Sequence, residues 1–312
     1  MAVDLVSATD DAMPPRPEGA AGYARAIAQL LKEAASSWVE DNAPSMGAAL
    51  SYYTLFSIAP LLLIAISVAG LVFGEDAARG EIMGQLSELM GTESAKTVES
   101  MLQAANEPAT GTLGTVVGVV VLLIGATTVF AELETSLNRI WRTPDRPTVG
   151  GLWGFLRARL LSLGMILGIG FLIMVSLVFS AALAALGKWW GAWLGGWVTL
   201  ASVLNVLISF GFVTAGFAMI YKWMPRVRLV WRDVWVGAFL TALLFTLGKT
   251  AISLYIGRSG VASVFGAAGS LVVLLLWVYY SAQIFLFGAE MAWVYARRWG
   301  SLRGLHEAPL AP

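Results

Sequence analysis

Among the ionisable residues inside or at the edge of long apolar stretches are Glu132, Arg139, Lys249 and Glu290. A charge at bilayer depth costs about 3 kcal/mol on insertion scales, so such a group faces a cavity, a partner or the interface. The chemistry open to this set is ion pairing and head-group binding. Glu132 and Arg139 are seven residues apart, two helical turns on one face. Either Glu132 or Glu290 is expected to pair with Arg139, around a cavity facing the cytoplasm or as a structural ion-pair cluster tying helices together. Lys249 lies about 24 Å of helix rise beyond Asp233, where it either holds a lipid phosphate or snorkels to the interface. A second polar group, Ser51, Tyr52 and Thr54, precedes Pro60 in an apolar run. Proline removes a backbone donor and kinks a helix. The three side chains either line a polar cavity beside that kink or make interhelical hydrogen bonds.

The elements that must position these residues are membrane helices. The 312 residues are 58% hydrophobic and 13% charged, about half the charge of an ordinary soluble domain, and mean hydropathy is +0.74. The pattern predicts an all-α, polytopic membrane protein with six transmembrane helices near 46–74, 113–135, 156–186, 193–221, 233–256 and 263–294. Residues 1–21 read as a disordered cytoplasmic tail, 22–298 as the membrane domain and 299–312 as a second cytoplasmic tail. From Gly22 to Glu40, Ile27, Leu31, Ala34 and Trp38 share a face. That suits an amphipathic helix on the membrane surface or one packed on the bundle. Asp41-Asn42-Ala43-Pro44 breaks the pattern and caps the next helix. Residues 75–112 carry seven acids and two bases, with apolar residues at helical spacing, and predict two short helices in an extracytoplasmic loop. No EF-hand spacing occurs among the acids.

Orientation follows from lysine and arginine. Fifteen of the twenty fall in the two tails and two basic connections on one side, four on the other, and Lys249 within a helix. An even number of spans then puts both termini in the cytoplasm. Glycine pairs such as Gly114 and Gly118 fit helix contacts within one bundle or between copies, so a homo-oligomer is open.

Much chemistry is set aside. The chain has no cysteine and one histidine, His306, which excludes disulfides, thiolate metal sites and cysteine nucleophiles and leaves no basis for a His-based metal centre or a Ser-His-Asp triad. No Walker A motif is present. The cytoplasmic arginines are accounted for by topology, so no nucleic-acid partner is expected, and neither a metal nor a cofactor is implied. An enzyme, including a nuclease, is disfavoured.

AALSYYTLFSIAPLLL in the first span, LNRIW after the second and LLLWVYYSAQIFLFGAE in the last resemble the BrkB/YihY family of bacterial inner-membrane proteins. The resemblance covers roughly Ala34–Arg298 and implies a six-span inner-membrane layout with a long outward loop. Members have been linked to serum resistance and envelope lipid export; a ribonuclease BN label on some is regarded as a misassignment. The family brings no catalytic residue set. The resulting expectation is an inner-membrane transporter or export factor for an envelope lipid or other amphiphile, in contact with membrane lipids. The alternatives are a small-solute or ion exporter or channel, which the nearly wholly apolar middle spans disfavour, and a scaffold for a lipid-transfer system.

Overall fold

A 31-residue apolar helix and a 30-residue one, antiparallel to each other, form the frame on which the other helices pack. The computed structural model describes residues 19–105, 111–143, 164, 168, 197–227, 229–259, 265 and 268–303. Among these residues lie eight helices. They are α1 (Gly19–Glu40), α2 (Ala43–Phe73), α3 (Glu75–Met90), α4 (Thr92–Ala105), α5 (Gly111–Ile140), α6 (Trp197–Trp223), α7 (Trp231–Ser259) and α8 (Gly269–Arg298).

Three of them are long and apolar enough to cross a bilayer: Ala43–Leu71 of α2, Val203–Trp223 of α6, and α8 throughout. This corrects the expected six-span bundle. The expected spans at 113–135 and 233–256 fall on α5 and α7, which are not among the three such helices found among the described residues. The last third of α5 carries Glu132, Glu134, Asn138 and Arg139, and α7 contains Arg232, Asp233, Lys249 and Arg258. The span placed at 156–186 lies outside the described residues but for Gly164 and Gly168. With three such helices among the described residues rather than six, the even-number argument for the termini no longer stands.

α8 is the hub, packing on α7, α2, α1, α4 and α5. Its two halves differ. From Ile284 to Ala296 all but Phe287 and Tyr295 are buried, in a core with Leu137 and Ile140 of α5, Tyr221 of α6 and Val234 and Ala238 of α7. The first half meets a smaller cluster in which Trp277 and Leu274 contact Met90 and Val98, and Trp277 donates its indole N–H to Leu89 O at 3.2 Å. α3 and α4 thus cap one end of the frame. The opposite end, where α1, the end of α5, the α6–α7 connection and the end of α8 converge, is rich in arginine and is called the basic end below.

The α7–α8 contact is close because it is built on glycine. A Cβ at Gly237 would run into Gly288 O and Ala292, and one at Gly288 would run into Thr241 Oγ1 and Tyr221 OH. Small residues let helix backbones approach where dispersion and hydrogen bonds must hold them together. Tyr221, wholly buried, donates to Phe285 O at 2.6 Å and lies 2.8 Å from Thr241 Oγ1. Elsewhere apolar side chains point outward: Val206 and Leu207 on α6 and Phe239, Leu247 and Leu254 on α7 are all more than half exposed, a surface suited to lipid.

Candidate functional site

The basic end is assembled from two sharp chain reversals. α1 gives way to α2 through Asn42, which takes a left-handed conformation (φ 58°), and Pro44 stands in the first turn of α2. The Asn42 carbonyl accepts the Ser45 N–H at 3.0 Å, so Asp41 is held at the corner. α5 ends in a Schellman arrangement, with Thr143 N–H to Asn138 O at 2.9 Å and Arg142 N–H to Arg139 O at 3.0 Å. The left-handed position of such a motif is usually glycine. Here it is Arg142, at φ 47°, which costs about 1 kcal/mol. Asn42 and Arg142 are the two non-glycine residues with positive φ among those described, and both stand at this site.

The reversals bring Asp41, Glu40 and Arg142 up to Glu290 on α8. Glu290 is wholly buried. Neither of its carboxylate oxygens has a hydrogen-bond partner, and neither does Asp41 Oδ2, although the two side chains meet. Beside them opens a cleft of about 460 Å³ lined by Glu33, Glu40, Arg142, Trp293, Arg297 and Arg298 among others. Two guanidinium groups lie over the Trp293 ring, Arg142 at 4.3 Å and Arg297 at 5.0 Å, within cation–π range. Arg298 pairs with Glu33 at 2.6 Å and donates to Gln29 at 3.2 Å, tying α1 to the end of α8. Guanidinium groups on an aromatic face beside a cleft suit planar, bidentate recognition of a phosphate or carboxylate.

The residues singled out from sequence are spread over the molecule. Glu290 is at this site, and the cation that faces it is Arg142; Arg139, at the end of α5, is exposed. Glu132 is half-buried on α5, and its neighbour Glu134 forms the ion pair with Arg226, at 2.5 Å. Lys249 is half-buried on α7, sixteen residues and about 24 Å from the basic end. Ser51 and Thr54 donate within their own helix, to Ala48 O at 2.8 Å and Leu50 O at 2.7 Å. Tyr52 is exposed, edge-on to Tyr53 and Phe56. Pro60 abuts α5: a Cβ at Gly125 would come 3.1 Å from its ring, and Ser57 donates to Gly125 O at 2.5 Å. Among the described residues no group of three His, Cys, Asp or Glu could hold a metal ion.

Sequence reasoning passed over Asp41, Arg142 and Trp293 as site residues. Asp41 stands in a segment read only as a helix break and Arg142 counted only toward topology. One signal was available: Trp293 and Arg297 are four apart on a helix, the spacing that brings a cation to a ring.

The family model described as "Virulence factor BrkB" matches residues 34–310. The chain belongs to this family. UPF0761 membrane proteins are similar to it: one of Pseudomonas paraeruginosa is 31% identical over 82% of this chain and 60% of its own length, and one of Alcanivorax borkumensis is 30% identical over 81% and 57%. One of Alteromonas mediterranea is 27% identical over 80% and 82%. The chain therefore spans about 60% of the length of the Pseudomonas relative. No solved structure matches it. The BrkB family description names a virulence factor and no reaction, and family and helices together make this a multi-pass protein of the helical, inner-membrane kind.

Proposed function

We propose that this chain is an inner-membrane transport or export factor for an envelope lipid or other amphiphile, and that the cleft at its basic end receives the anionic head group. The observation that carries this is the pair of guanidinium groups over Trp293 at the mouth of a 460 Å³ cleft; the outward apolar faces of α6 and α7 are surfaces on which acyl chains can lie. The family's description as a virulence factor accords with an envelope role. On this reading Glu290 belongs to the site, whereas Lys249, about 24 Å away along α7, does not.

We also place both termini in the cytoplasm. α1 and the end of α8 are bound together through Arg298 and Glu33, and most of the cations among the described residues gather at that end, as the positive-inside rule requires of a cytoplasmic face. A reporter at either terminus is expected inside and one near Thr92 outside.

The test of the function is native mass spectrometry of the protein extracted gently from its own membrane. An anionic lipid retained by the wild type and lost from the Arg142→Ala, Arg297→Ala double variant is the expected result. Equal lipid occupancy in both proteins sinks the head-group site.

A further inference from the structure

We propose that the head group taken by the cleft at the basic end carries a primary ammonium as well as a phosphate, the phosphate meeting the guanidinium wall and the ammonium meeting Glu40 at the end of α1. The inference rests on the head-group reading of the same cleft and names the chemical class of its ligand.

The walls of the cleft differ in character. Glu33, Ser36, Ser37 and Glu40 line it from α1, at the i, i+3, i+4 and i+7 spacing that makes one stripe on a helix. Arg142 from the end of α5 and Arg297 and Arg298 from the end of α8 line it with guanidinium groups. The two acids of the α1 stripe are not equivalent. Glu33 pairs with Arg298 at 2.6 Å, so the protein itself balances that charge. Glu40 is exposed and accepts the Ser36 hydroxyl at 2.9 Å, a neutral donor that orients the carboxylate and leaves its charge in place. A carboxylate lining the same cleft repels a phosphate and lowers its affinity. Glu40 is also the last residue of α1, whose last turn holds no base. The carbonyl end of a helix dipole favours a cation and disfavours an acid. A site for a phosphate alone gains nothing from Glu40 at that place. An ammonium on the head group reverses both terms: the carboxylate and the helix end attract it, while the guanidinium groups take the phosphate. The charges of the lining agree, since three guanidinium groups and two carboxylates complement a head group with both signs and a small negative excess. A quaternary ammonium has no N–H to give to Glu40. It is read by aromatic faces, and the Trp293 ring already carries two guanidinium groups. A primary amine therefore fits and a choline does not.

The test is native mass spectrometry of the full chain in detergent, with phosphatidylserine and phosphatidylglycerol of the same acyl chains in competition. The two have the same net charge, and the serine lipid alone bears an ammonium. Wild type is expected to retain phosphatidylserine about threefold to fivefold over phosphatidylglycerol. Glu40→Gln, an exposed change of equal shape, is expected to bind the two equally. Phosphatidylethanolamine against phosphatidylcholine repeats the comparison without the serine carboxylate and needs no variant; the ethanolamine lipid is expected to win. Absence of preference in either pair, or a preference for the serine lipid that survives in Glu40→Gln, overturns the proposal. Where that happens and both lipids are still lost from the Arg142→Ala, Arg297→Ala variant, the anionic head-group reading stands without the amine. Where no lipid binding depends on those arginines, the reading falls and the proposal with it. O-phosphoethanolamine, which has no acyl chains, is expected to displace bound lipid poorly; displacement at equal concentration makes the ligand a soluble phospho-amine and overturns the lipid form.

Discussion

Asp233 and Glu290 are two buried acids, 1% and 0% exposed, on the paired helices α7 and α8 at the same end of the molecule. Asp233 is half provided for: Oδ2 accepts the Ser301 N–H at 3.0 Å and its hydroxyl at 2.5 Å, while Oδ1 has no partner, so the acid holds the segment after α8 against the start of α7. Glu290 has no donor and meets another acid. Around Asp233 the chain turns through small residues, and a Cβ at Gly300 would strike its carboxylate. Around Glu290 the chain turns through Asn42 and Arg142, both in the left-handed region. The difference separates an acid that stabilises from one whose burial the fold tolerates. Strain and unmet hydrogen-bonding capacity accumulate where a protein does something; Asp233 leaves one oxygen without a partner and Glu290 leaves two.

The largest effect comes from breaking the frame common to both corners. Gly288→Leu puts a side chain where Thr241 and Tyr221 already are. Its cost is expected to exceed the roughly 1–3 kcal/mol of ordinary overpacking, read as loss of folded, monodisperse protein after extraction. Next is Asp233→Ala, which leaves Ser301 without its acceptor and should lower stability by about 1–3 kcal/mol, measured by thermal unfolding in detergent. Glu290→Gln is the contrasting variant. Its amide can donate to Asp41, so stability should hold or rise by about 1 kcal/mol while function falls further than in Glu99→Gln. Glu99 forms an exposed pair with Arg79 at 3.6 Å, worth little. If Glu290→Gln unfolded more readily than Asp233→Ala, the contrast would be void. The smallest change in stability is expected for Arg142→Gly. Relief of about 1 kcal/mol in the backbone is offset by lost stacking of similar size on Trp293, so melting moves little while lipid retention drops.

Much of the helical layout was open to reading in the sequence because it is local. The α1 helix, the break at Asp41–Pro44 and the two helices in 75–112 follow from apolar spacing and from residues that stop helices. The number of membrane-crossing helices was not. Apolar spacing registers the centre of α5 but not what its last turns do: Glu134 reaches Arg226, and Asn138 Oδ1 accepts the Arg226 N–H at 2.8 Å. The site was half legible. An acid within GAEMAW marks Glu290 as unusual from composition alone. Counting along one face pointed to Arg139, but the cation facing Glu290 comes after the helix has ended, where the left-handed turn at Arg142 re-aims the chain. Asp41 is 249 positions away in sequence, and no periodicity connects residues on different elements.

The Schellman turn at the end of α5 also says something about history. Glycine at position 142 would suit the backbone better than arginine, and one codon change can bring it. Arginine at that position is therefore a standing invitation to mutate, open whenever the side chain stops being useful. A descendant freed from the need for the cleft would drift to glycine there with little harm to its folding. The residue filling that turn in related chains is thus a record of use, readable without any assay.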